Sequence, residues 1–409
     1  MTEKKSALYS HYIIDGVRFD MTPAELLDEC MEDNGFPDQS GFGDIVDELT
    51  EPPIRSFVYE DGKEQEYISQ TTAAATEERQ FRMLYPEHFT KLQVTGSLMS
   101  RLWSKGHFKL GDLRLWAQWE WDTEPVGNMS AFYRSVEAAS GYIYGLGVKV
   151  EDYLFIEEPG NGCNVKFYAW LQEQYDRSAT CVLDDRDSVI LNEAQRSEES
   201  ITDGNDQESA LLFKSSPYES RHPWISEERA CHATIQPDEK SWIIYIPFDT
   251  CSFKLGGSLL TQVNRCEGDK APELNDPDYF IDCYEVVREL VEDGLVMAGI
   301  NVADGGLATA AARMCSGCSL EIDIRGILAS YQDASRDKIL FGDVPGIIMQ
   351  ISDEDYDYVD SQLLLQDVAY YPLGHPSSGN SGLTITESGK NGVENILASL
   401  LNMASEGED

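Results

Sequence analysis

Two glycine pairs are the features of this 409-residue chain whose types and spacing could do chemistry. Lys254-Leu-Gly-Gly-Ser258 and Ala303-Asp-Gly-Gly306 each place glycines at a strand-to-helix junction. Backbone without Cβ can approach a phosphate closely there, and a helix N-terminus can hold an anion. The same glycines serve equally a tight turn whose backbone conformation is closed to other residues. Asp304 stands beside the second pair, and a carboxylate next to a phosphate repels it unless a cation bridges them. Cys315 and Cys318 form a CxxC, but no second CxxC or HxxxH pair completes a four-ligand zinc site. That leaves a redox pair or two small buried side chains. The histidines at 11, 88, 107, 222, 232 and 375 stand apart, none at ligand spacing to another. No nucleophile elbow, GxxxxGK[ST] or GxGxxG is present.

Charge narrows the partners. Lys plus Arg total 31 against 73 Asp plus Glu, a formal charge of −42. Such a surface repels phosphate backbones and anionic headgroups, so neither nucleic acid nor membrane is expected as a partner. It suits high solubility or a basic partner protein. No apolar run approaches the ~18 residues that span a bilayer. The start, Met1-Thr-Glu-Lys-Lys-Ser, has no signal-peptide apolar core. Nine scattered cysteines fit reduced thiols, and a cytoplasmic protein is expected.

The elements that must position these residues alternate between helix and strand. Residues 11–20 read as a strand or hairpin. Thr22-Pro23-Ala24-Glu25 reads as a capping box opening a helix, and a second short helix is expected over 43–51. An acidic helical extension, 1–53, thus precedes an α/β domain, 54–240, a second α/β domain, 241–403, and an acidic tail, 404–409. In the first domain Val94–Trp103 has helical spacing, Leu113–Trp121 alternates strictly as a half-buried strand, and Ser130–Ser140 is an amphipathic helix closed by Gly141. Strands are expected at 147–156 and 165–171. The polar stretch 192–222 reads as a mobile acidic insertion. In the second domain strands are expected at 241–248, 295–299, 320–324, 345–351 and 368–373. Helices are expected at 278–293 behind Asp276-Pro277, at 307–314, after Asp353, and at 391–403.

Four collinear blocks over roughly 94–375 resemble the second synthetase half of the large formylglycinamidine ribonucleotide (FGAM) synthase family, in the aminoimidazole-ribonucleotide (AIR) synthase superfamily. Tyr133-Arg-Ser-Val-Glu-Ala-Ala-Ser140, with the strand before it, is similar to the family's Y-K-A-V-E-A-A-S helix. Phe248–Ser258 resembles its L-G-G-S turn, Leu295–Leu307 its A-G-H-D-x-S-x-G-G block, and Leu340–Gln350 its L-F-x-E-x-P-G-x-x-x-Q block. The resemblance implies a two-domain α/β architecture in which an N-terminal sheet closes a barrel with a partner's sheet and an AIR-synthase-C-like domain covers it. It also implies ATP activating an amide oxygen with Mg2+ held by carboxylates, which is phosphoryl transfer.

Carried onto this sequence, the resemblance makes Gly256, Gly257, Ser258, Gly305 and Gly306 nucleotide- or phosphate-binding, and Asp152, Asp304 and Asp343 metal ligands, wherever the site is retained. Much of that site has changed. The family's His-Asp falls on Ile300 and Asn301, its Ser on Ala303, and its Gly-Lys-Asp-Ser on Val150-Glu151-Asp152-Tyr153. Ile300 cannot donate, accept or ligate, and Glu151 puts an acid where a cation would face phosphate. Asp343 takes the family's Glu position, for a metal or ribose contact or as a cap on the turn before Pro345. No catalytic residue is assigned. The reading that follows is a degenerate, non-catalytic structural, scaffolding or ligand-holding protein acting as a homodimer, a use with precedent in viral virion components of this family. The alternative is a subunit of a split ATP-dependent synthase of de novo purine biosynthesis, paired with another synthetase half and loaded with Mg2+ and ATP or ADP.

Overall fold

Nine residues of strict alternation, Leu113–Trp121, form the strand around which the first half of the chain is built. The computed structural model describes residues 5–31, 42–49, 56–76, 81–106, 108–171, 228–267, 270–315, 318–377 and 382–386. The expected insertion 192–222, helix 391–403 and tail 404–409 lie outside the described residues. The N-terminal stretch gives β1 (Tyr12–Ile14), β2 (Val17–Arg18), α1 (Pro23–Asp28) and β3 (Ile45–Asp47). Next come α2 (Glu64–Ala74), α3 (Pro86–Leu102), β4 (Leu113–Trp121), α4 (Asn128–Gly145), β5 (Lys149–Glu157) and β6 (Asn164–Leu171). Strand β4 is central in the order β5-β4-β6, parallel to β5 and antiparallel to β6. Its odd positions, Leu113 to Trp121, are fully buried. Trp119 Nε1 donates to Ser135 Oγ at 3.0 Å, and Ser135 shares a 2.7 Å hydrogen bond with Thr90, so strand, α4 and α3 are pinned by one buried polar chain. Arg114 and Gln118 on the other face are also buried, so the strand is covered on both sides rather than half-buried.

The second half supplies β7 (Trp242–Pro247), α5 (Leu259–Val263), α6 (Pro277–Glu292), β8 (Val296–Val302), α7 (Gly306–Met314), β9 (Ser319–Asp323), α8 (Arg325–Ser330) and α9 (Arg336–Phe341). It continues with β10 (Gly346–Ile351), α10 (Tyr356–Leu365), β11 (Tyr371–Gly374), β12 (Pro376–Ser377) and β13 (Gly382–Thr386). The order β11-β7-β10-β8 is antiparallel throughout. Period-two alternation splits this sheet between two cores. Ile244, Ile246, Ile347, Met349 and Ile351 enter a core shared with α3, α4 and α6. Ile243, Tyr245, Ile348, Ala298 and Val302 enter a second core with α7 and α9. A small third sheet, β12-β9-β13, completes that side.

Several sequence expectations are corrected. Residues 45–47 are strand, not helix: the β-branched pair Ile45-Val46 pairs in parallel with β1, which a short isolated helix could not outcompete. Helix α4 runs through Gly141 to Gly145, because tertiary packing along its face overrides one glycine's propensity. Helix α3 begins at Pro86, eight residues before Val94, with proline in its first turn. The Thr22 capping box forms as expected. Replacing Trp119 with alanine should cost about 3–5 kcal/mol, read as a lowered urea midpoint. A loss below about 1 kcal/mol would show that the buried Trp119–Ser135–Thr90 chain does not hold the first core.

Candidate functional site

Three loops meet where the sequence placed its glycine pairs. The turn after Lys254, the turn before α7 and the segment following α9 pack backbone against backbone. A Cβ on Gly256 would lie 2.3 Å from the Lys270 carbonyl carbon, and one on Gly306 would lie 2.7 Å from Leu340 O. Gly305 and Gly306 adopt positive φ angles of 84° and 69°, so close approach and left-handed backbone both demand glycine there. The close neighbours are the protein's own backbone.

Asp343 sits at the centre of this junction and is fully buried. Its Oδ1 accepts from Gly305 N at 2.9 Å, and its Oδ2 accepts from Leu259 N at 3.1 Å. Gly305 is the N-cap of α7 and Leu259 opens α5 behind the N-cap Ser258. One carboxylate therefore sits at both helix starts, the place where unsatisfied N–H groups and the helix dipole would welcome an anion. Asp47 does the same for α4, accepting from Gly127 N at 2.9 Å and Ser130 N at 2.8 Å. The structure thus brings together Gly256, Gly257, Ser258, Gly305, Gly306 and Asp343. It leaves Asp304 partly buried beside them and Asp152 exposed on β5 in a different sheet, where its carboxylate accepts from Tyr153 N. Among the described residues no group of three His, Cys, Asp or Glu side chains is placed to hold a metal ion.

The block on β8 is sealed as well. Trp103, 3% exposed, lies over Gly299, where a Cβ would meet its ring at 2.1 Å. Its Nε1 donates to Asn301 Oδ1 at 2.6 Å, and the Arg229 guanidinium stands 5.8 Å from its ring centre. Gln350 of the fourth block is a clamp, exchanging hydrogen bonds with the backbone of Gln236 and donating to Ser241 Oγ. Cys315 is buried and its thiol pKa is pushed up to about 12, by burial first and by Cys318 second, so it is a protonated thiol rather than a reactive thiolate at neutral pH.

Sequence reasoning missed a cavity of about 540 Å3 lined by Leu84, Tyr85, His88, Lys91, Lys270 and Glu273, among others. It adjoins the first glycine pair, since a Cβ on Gly257 would meet the Tyr85 ring at 3.0 Å. Lys91 donates to Leu274 O and Asn275 Oδ1, and burial lowers its ammonium pKa, partly offset by Asp249. The start of α3 at Pro86 was the available signal. Trp103 and Asp47 carried no local signal, because their partners lie 196 positions away at Gly299 and 80 positions away at Gly127.

Comparison with known proteins identifies the framework. Residues 251–360 match the family described as AIR synthase related protein, C-terminal domain. That stretch is similar to the C-terminal domain of AIR-synthase-related proteins. The chain is 26% identical over 157 residues to the phosphoribosylformylglycinamidine synthase of Homo sapiens, covering 37% of this chain and 11% of that protein. It is 31% identical over 146 residues to the Drosophila melanogaster synthase, covering 33% and 11%. The match thus spans about a tenth of those relatives' length. Among solved structures it is similar to Thermotoga maritima PurL complexed with FGAR, at 10% identity and a TM-score of 0.48, covering 75% of this chain and 42% of that one. It is also similar to E. coli HypE, a hydrogenase maturation protein, at 11% identity and a TM-score of 0.40, covering 74% and 77%. The mixed α/β architecture expected from the four blocks is the one present, and among the described residues the sheet β5-β4-β6 has three strands.

Asp343→Ala should destabilise the chain by about 2–5 kcal/mol, because two buried N–H groups lose their acceptor at once. Asp343→Asn, which keeps one acceptor oxygen and turns an NH2 toward the other N–H, should fall between it and wild type in urea denaturation. A neutral Asp343→Ala would contradict the structural role given to this carboxylate.

Proposed function

We propose that this AIR-synthase-related chain is a non-catalytic structural or ligand-holding protein built on the FGAM-synthase framework of purine biosynthesis, working as a dimer through its first sheet. The observation that carries this reading is Asp343: the position best suited to a phosphate is filled by a buried carboxylate held by Gly305 N and Leu259 N. A phosphate arriving there would have to displace two hydrogen bonds and face a desolvated negative charge. Trp103 over Gly299 and Asn301 supports the same conclusion for the block on β8. Among the described residues the three-stranded sheet β5-β4-β6 leaves strand edges that a partner's strands would cover, which supports the dimer. Cytoplasmic placement is part of this proposal and rests on the unpaired cysteines, eight of them among the described residues.

A second reading, a working subunit of a split ATP-dependent synthase holding Mg2+ and ATP or ADP, is favoured by one observation. The cavity beside Gly257 has the volume of a small-molecule site and presents Lys91 and Lys270. Calorimetry with ATP or ADP plus Mg2+ separates the two. The scaffold reading expects no saturable heat at millimolar nucleotide. Micromolar affinity, lost in Lys270→Glu, would replace it with the enzyme reading.

A further inference from the structure

Helix α10 exposes three of the large hydrophobic side chains found on the surface of the described residues. Helix α10 turns Val359 and Leu363 into the core, as an amphipathic helix should. Its outer face mixes polar residues such as Asp357 and Ser361 with three large apolar or aromatic ones. Tyr358 is 50% exposed, Leu364 64% and Leu365 76%. Tyr358 and Leu365 are seven positions apart, two helical turns along one line, with Leu364 alongside. Leu364 and Leu365 together form the exposed apolar centre of this face, with Tyr358 two turns away.

The charge around the patch has one sign. Asp353, Glu354, Asp355, Asp357, Asp360 and Asp367 lie on or beside α10, and no lysine or arginine occurs between Lys338 and Lys390. The neighbouring helix α6 adds Asp278, Asp282 and Glu289, and its Arg288 is already held by Glu285, Glu289 and Glu292. Part of the acid is committed to structure: Asp353 accepts from Trp242 Nε1 and Asp360 from the Tyr370 hydroxyl. Those bonds fix where the two carboxylates stand.

An apolar stripe rimmed by carboxylates selects its occupant. A second copy of this chain would bring the same acidic rim against itself, on a molecule of net charge −42. A basic amphipathic helix meets both requirements, with leucine or phenylalanine on the stripe and lysine or arginine on the rim. We infer that the outer face of α10, centred on Tyr358, Leu364 and Leu365, is a docking surface for a basic amphipathic helical segment of another protein. This surface is separate from the glycine junction and from the first sheet, and does not depend on whether the chain binds nucleotide.

The test uses the full chain and a fluorescently labelled Lys/Leu amphipathic helical peptide read by anisotropy, with a Glu/Leu peptide of the same apolar pattern as its counterpart. Wild type should bind the basic peptide and not the acidic one. The double variant Leu364→Ser/Leu365→Ser should weaken binding by about tenfold or more. Glu354→Gln/Asp357→Asn should weaken it and flatten its salt dependence. Val126→Ser, at an equally exposed apolar position elsewhere, should leave binding unchanged. Both double variants should keep the wild-type melting temperature, since the altered side chains face solvent. Equal binding by wild type and Leu364→Ser/Leu365→Ser would overturn the proposal, as would equal binding of the acidic peptide. Loss of self-association in that variant would assign the face to a second copy and overturn it too.

Discussion

The carboxylate of Asp343, shared between Gly305 N and Leu259 N, is the interaction on which the middle of the molecule depends. It joins the starts of α5 and α7 to the segment leaving α9, elements that also share the second core through Leu260, Leu307 and Leu340. Remove the carboxylate and two helix termini are buried with unsatisfied donors, which is among the costlier defects a fold can carry. The glycines then follow from packing. Gly256 and Gly306 have no Cβ because the backbones of Lys270 and of Leu340–Gly342 occupy that space.

This arrangement separates two ideas that sequence motifs merge. A glycine-rich strand-to-helix turn signals that something approaches the backbone closely, not what approaches it. In many nucleotide-binding proteins it is a phosphate; here it is an internal carboxylate and neighbouring peptide groups. Asp47 at the start of α4 repeats the solution from the N-terminal sheet. A chain with 73 acidic residues has carboxylates available for such internal use, while its external field discourages anionic ligands.

Much of the fold was legible in the sequence where the signal was local. Leu113–Trp121 alternates with period two, Asp276-Pro277 caps α6, and Thr22 with Glu25 forms its capping box. Errors arose where distant contacts overrode local preference. Ile45–Asp47 became strand by pairing with β1, and Gly141 stayed helical because α4 is packed along its length. The site was half legible. The glycine pairs and Asp343 were found and do converge, whereas Asp152 belongs to another sheet. Trp103 and Tyr85, which cover Gly299 and line the cavity, and Asp47, at the start of α4, are set by contacts that no residue spacing records.

Amide hydrogen exchange at Leu259 and Gly305 probes the shared carboxylate most directly. Both amides should exchange only through global unfolding in wild type, be unaffected by saturating Mg-ATP, and lose that protection locally in Asp343→Ala. Rapid exchange at both amides in wild type, or protection that appears only when nucleotide is added, would contradict the claim that Asp343 fills this position.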